Sequence, residues 1–111
     1  MKKVIRPAAR EDILRQYRYY LVEEGNLIAA ERFLKAVKAT VTQVCRRPGL
    51  GAPKALKNPR LSGLRSWPVE GFSAIRVYYL VSEKLVRVVR VLHGKRDITA
   101  ILENEPPDDQ Q

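Results

Sequence analysis

His93 is the one histidine of this chain, and it opens the polar string His93-Gly94-Lys95-Arg96-Asp97 directly after the apolar run Leu85 to Leu92. An imidazole so placed can act as a general acid or base, or as a hydrogen-bonding group that fixes a strand end. Gly94 permits a sharp turn. Arg96 and Asp97 either pair locally, or Asp97 caps a following helical turn while Arg96 faces a partner. A two-histidine metal site is excluded, and Cys45 falls on the apolar face of a predicted helix, where it serves as a small buried hydrophobe. No glycine-rich phosphate loop and no Ser/His/Asp arrangement is present. Neither a metal nor a cofactor is therefore expected, and no catalytic residue is assigned.

The elements that must position this string are legible in the spacing. Lys2 to Arg6 predicts a short first strand, stopped by Pro7, which suits the first turn of a helix. Ile13, Leu14, Tyr17, Tyr20 and Leu21 recur at helical spacing, with Glu11 and Asp12 early in that helix, where its dipole favours them. Gly25 predicts a helix stop and Asn26 an N-cap. Ala30, Phe33, Leu34, Val37, Val41, Val44 and Cys45 then form the stripe of a second helix, ended by Pro48-Gly49. Residues 48–62 read as a basic surface loop holding Lys54, Lys57 and Arg60. Leu64 to Val69 predicts a strand, at an edge or interrupted by a bulge because Pro68 cannot donate to a ladder. Ala74 to Val81 and Leu85 to Leu92 predict two more. Regular alternation would put Arg87 and Arg90 on opposite faces. Asp97 caps a last turn, and residues from Glu103 read as a frayed tail. The expected fold is α+β: an N-terminal strand, an antiparallel helical hairpin, then a three-stranded antiparallel meander packed on the helices.

With 111 residues the chain predicts one domain, residues 1–105, followed by a flexible acidic tail, 106–111. Charge is unevenly spread. Residues 1–45 carry a net +4, residues 46–96 a net +10, and residues 97–111 a net −5. The basic middle implies an anionic partner, nucleic acid or an acidic protein surface. A single cysteine, no membrane-spanning apolar run and no signal-peptide pattern predict a soluble cytoplasmic protein.

The ordered set of local signals is more specific than any one of them. Ala9, Asp12-Ile13, Tyr17 and Tyr20 are followed by Pro48-Gly49-Leu50-Gly51, Gly63-Leu64-Arg65, Ile75-Arg76-Val77-Tyr78-Tyr79 and Val91 through Asp97. In this order they resemble the toxins of the RelE/ParE superfamily, and the ParE branch most closely, over Ala8 to Leu102. The resemblance implies a toxin of a type II toxin–antitoxin system. ParE-like members poison DNA gyrase, and RelE-like members cleave mRNA on the ribosome using basic groups and no metal. Arg96 matches the catalytic arginine of the RelE-like Gly-Lys-Arg segment. The tyrosine expected six residues on is Leu102, and a second arginine would fall near Val69-Glu70. The incomplete set favours the ParE branch, with a RelE-like endonuclease as the alternative and an inactive basic binding module as a third reading.

The resemblance also implies a ParD-like antitoxin whose acidic C-terminal segment folds along the toxin, forming a hetero-oligomer. Candidate target-binding residues are Arg65, Trp67, Arg76, Lys95 and Arg96. His93, Gly94 and Asp97 form the structural motif that closes the sheet. Candidate antitoxin-binding residues are Tyr17, Tyr20 and Leu21 on the first helix, and Arg87 and Arg90 on the last strand.

Overall fold

The computed structural model describes residues 1–106. Strand β1 (Lys2–Ile5) leads into helix α1 (Pro7–Arg18), with Pro7 at its first position. Helix α2 (Leu27–Arg46) follows; then come strands β2 (Ala52–Pro53), β3 (Arg65–Val69), β4 (Phe72–Ser82) and β5 (Leu85–His93), and helix α3 (Ile98–Glu103). The five strands form one sheet in the order β1-β5-β4-β3-β2. β3, β4 and β5 are the expected antiparallel meander, and β1 runs parallel to β5. The αα crossover between β1 and the meander makes that parallel pairing possible.

The hairpin turns by two devices. Tyr19–Glu23 winds as a π-helical turn, which a helical-period reading of the sequence does not anticipate. Gly25 then adopts φ +57°, and the Asn26 side chain accepts from Ala29 N at 2.9 Å. α2 buries Ala30, Phe33, Val37, Thr40, Val41 and Val44. Leu34, expected on that stripe, is exposed instead.

Two apolar layers cover the sheet. On the helical face Ala9, Phe33, Val37, Val41 and Val44 pack on Val69, Ile75, Val77, Tyr79, Val86, Val88 and Val91. On the second face Leu61 and Leu64 of the 54–64 segment and Leu102 of α3 pack on Tyr78, Val89 and Leu92. Residues 48–62 are therefore more than a surface loop. They contain 3₁₀ turns at Pro48–Leu50 and Pro59–Leu61 and the extra strand β2, and they bring Leu56 and Leu61 onto the second face. β3 carries the expected irregularity at Pro68/Val69. A second one, between Tyr78 and Tyr79, leaves Val89 unpaired on β5. This bulge breaks the alternation on which the Arg87/Arg90 expectation rested, so Val88 and Val91 share one layer while Val89 and Leu92 share the other.

The chain does not fray from Glu103. Glu103 closes α3 and its carboxylate accepts from Lys57 N and Asn58 N, both at 2.8 Å, while Glu105 is buried. The acidic tail expected over 106–111 lies, apart from Pro106, outside the described residues.

Candidate functional site

The turn after β5 is built by its own backbone and that of β4. Gly94 N donates to Ala74 O at 2.7 Å, Arg96 N to His93 O at 3.1 Å, and Ile98 N to Arg96 O at 2.8 Å. His93 Nδ1 accepts from Lys95 N at 3.1 Å. The neutral ring therefore carries its proton on Nε2. Asp97 accepts from Ala100 N at 3.2 Å and caps α3. Held this way, Lys95 and Arg96 stand exposed at the end of the sheet. His93 and Lys95 also line a cleft of about 360 Å³ with Gln16, Tyr19, Tyr20 and Glu24 of the helical hairpin. The Glu24 carboxylate pushes the Tyr19 phenol above its usual pKa, and burial does the same to Tyr20.

The other candidate target contacts do not join this turn in one patch. Arg65 and Trp67 lie opposite Tyr79 and Val77, on the helical face, whereas Arg76 lies opposite Pro68 and Leu92, on the second face. Arg65 Nη1 donates to Gly51 O at 2.7 Å. The buried Tyr79 hydroxyl donates to Pro48 O at 2.7 Å and accepts from Gly51 N at 2.8 Å. A Cβ on Gly51 would sit 2.5 Å from that hydroxyl and 2.8 Å from Ser66 O, so the site takes glycine only. Arg76 bonds Ser66 through Nε–Oγ at 3.0 Å and Nη2–O at 3.3 Å. Trp67 packs half-buried on the helical layer.

Among the candidate antitoxin contacts, Tyr17, Tyr20, Leu21 and Arg87 are half-buried. Arg90 is engaged within the chain. Its Nε and Nη2 meet the Asp12 carboxylate at 2.7 and 2.8 Å, and its Nη1 meets Glu105 at 3.1 Å. These bonds hold its charge inside the protein and keep its pKa above the usual guanidinium value. Asp12 also accepts from Val91 N at 3.0 Å, and Glu105 pairs with Arg6 at 3.4 Å. Sequence reading gave Asp12 only a helix-dipole role. Its place on the inward face of α1, one residue before Ile13 of the apolar stripe, was the available signal that it is buried.

The family comparison draws on nearly the same span as these elements. A sequence model described as the ParE toxin of type II toxin-antitoxin system, parDE, matches residues 4–98. The chain belongs to the ParE toxin family. A solved chain from "Chromosomal ParDE TA system from P. aeruginosa" is similar to this ParE toxin at 26% identity and a TM-score of 0.56, covering 84% of this chain and 95% of that one. No curated protein matches. Among the described residues, no helix of this ParE toxin is long and apolar enough to cross a membrane, and no cluster of His, Cys, Asp and Glu is arranged to hold a metal ion.

Proposed function

We propose that this ParE-family toxin inhibits DNA gyrase by binding it in the cytoplasm, has no catalytic site of its own, and is neutralised by a ParD-like antitoxin. The observation that carries the non-nuclease reading is the burial of Leu102. An RNA-cleaving relative needs an accessible phenol at this position, but here the side chain is fully buried in the second apolar layer. Val69, where a second cation would be needed, is buried too, and the next residue is the acid Glu70. Cations that stabilise a phosphoryl transition state must reach the phosphate, and of the positions matched to the nuclease set only Arg96 is an exposed cation.

The antitoxin reading is supported by the helical hairpin. Leu14, Val22, Leu27, Ile28 and Leu34 are exposed there, with Val22 at 68% and Ile28 at 69%. Arg15, Arg18, Arg32 and Lys35 are exposed on the same helices. Exposed apolar side chains interspersed with cations, though also with Glu11, Glu23, Glu24 and Glu31, suit an amphipathic segment that folds as it binds. The ParDE system named for the structural neighbour fits that pairing.

Purified toxin added to gyrase, ATP and plasmid should block supercoiling or accumulate cleaved DNA, and a stoichiometric cognate antitoxin should reverse it. Codon-associated mRNA cuts on programmed ribosomes, with gyrase unaffected, would assign the chain to the nuclease branch instead.

A further inference from the structure

The exposed large apolar residues and one long run of cations occupy different parts of this molecule. Large exposed hydrophobic side chains lie on the hairpin and at Met1 and Val81. The segment from Arg46 to Arg60 has none, yet it carries Arg46, Arg47, Lys54, Lys57 and Arg60, and no acid occurs between Glu31 and Glu70. Among the described residues these five side chains have no bonded partner, and all but the half-buried Lys54 are exposed. The segment runs along the β2 edge of the sheet and across its second face.

Its backbone is held rigid. Pro48 and Gly51 are tied to Tyr79, Gly51 to Arg65, and Lys54 N to Leu64 O at 2.9 Å. Asn58 Nδ2 donates to the carbonyls of Leu102, Glu103 and Glu105. The Glu103 carboxylate, the one carboxylate bonded to this segment among the described residues, accepts from Lys57 N and Asn58 N. The cations are thus mounted on a frame that loses little entropy when they are engaged.

We infer that the segment from Arg46 to Arg60 is a docking ribbon for the phosphate backbone of duplex DNA, distinct from the antitoxin surface on the hairpin. An amphipathic protein segment needs large apolar anchors beside the charges, and the ribbon exposes no large one, its Leu50 and Leu56 being half-buried. Single-stranded nucleic acid is gripped by aromatic platforms on which bases stack, and the ribbon has no aromatic residue. A regular run of phosphates needs only repeated cations, which satisfy it without base contacts. The ribbon extends the gyrase reading, because it lets the toxin touch DNA beside the enzyme, but it does not depend on that reading.

The test is fluorescence anisotropy of full-length toxin with a short random-sequence DNA duplex across a salt series. Five phosphate contacts give a slope of log K against log salt of about −4.5, from about 0.9 per contact. The triple variant Lys54→Ala, Lys57→Ala, Arg60→Ala should fall to about −2, with Tm retained. A control that removes equal charge from α2, Arg32→Ala, Lys35→Ala, Lys38→Ala, should keep most of the wild-type slope. Equal losses in both triples would mean diffuse attraction and overturn the ribbon. So would tighter binding to single-stranded RNA than to duplex, or no salt-dependent duplex binding. A supercoiling assay of the wild-type toxin, run separately, distinguishes the two ideas. Gyrase inhibition without duplex binding removes the ribbon and keeps the target, whereas duplex binding without gyrase inhibition does the reverse.

Discussion

Replacing Asp12 by alanine should be among the most damaging single changes in this protein. Its side chain is 2% exposed and accepts three hydrogen bonds, two from Arg90 and one from Val91 N. Asp12→Ala leaves the Arg90 guanidinium with Glu105 alone and strands the buried Val91 N–H. Breaking a buried pair by removing one partner costs about 3–5 kcal/mol, against a whole-domain stability of about 5–15 kcal/mol. At about 4 °C or more per kcal/mol for a domain near this size, Tm should fall by at least about 12 °C. Urea unfolding is readily followed through Trp67, the single tryptophan, which packs half-buried on the helical layer. A cycle with Arg90→Ala should show a coupling of about 2 kcal/mol, because the second deletion removes the charge that the first one stranded. A loss below about 1 kcal/mol at unchanged m-value would refute the reasoning, since it would mean that water already solvates Arg90.

Tyr79→Phe removes the hydroxyl shared by Pro48 O and Gly51 N, and should cost about 2 kcal/mol in urea unfolding; Gly51→Ala should cost more, through the clash with that hydroxyl. Burial raises the phenol pKa of Tyr20, Tyr78 and Tyr79, so the unfolded chain ionises first, near pH 10. The unfolded state then binds fewer protons, and stability present below that pH is lost as pH rises further; a urea midpoint that stayed flat or rose between pH 9 and 11.5, by titration of matched samples, would contradict this. Arg96→Ala should relieve growth arrest while changing stability by less than about 0.5 kcal/mol. His93→Ala should lose about 1 kcal/mol, with its bond to Lys95 N, and lose activity only as the turn loosens; melts beside growth assays would expose a reversed assignment.

Much of the fold was legible because its signals were local. Asn26 and Asp97 sit at the caps their side chains predict, and the β-branched runs gave β4 and β5. What escaped depended on distant partners. Pro48 to Gly63 reads as loop by composition, yet Tyr79 and Glu103 organise it from 31 and 46 positions away. The π-helical turn at Tyr19–Glu23 and the bulge at Val89 shift the period by one residue, which no periodic reading anticipates. In the candidate site, the cap at Asp97 and the His93–Lys95 bond of the turn were legible because they are short-range, whereas the bond from Gly94 to Ala74 of β4 was not. Arg65, Arg76 and Arg90 were not, because a sequence displays their charge but not the carbonyl, serine or carboxylate that already holds it.

The clasp between β1 and the segment after α3 bears on how the toxin is born. Arg6 Nη2 donates to Pro106 O, 100 positions away, and its Nη1 faces Glu105. β1 has no sheet to join until β5 exists, and Arg90 lacks its second carboxylate until Glu105 arrives. Synthesis proceeds from the N-terminus and early segments fold first, so the helical hairpin is exposed to the cell while the sheet is still incomplete. An antitoxin that recognises the hairpin meets a nascent chain whose cationic turn at Lys95 and Arg96 has not yet been set. On the proposed hairpin site, neutralisation would begin before the turn is made, an order set by the sequence in which the residues are synthesised.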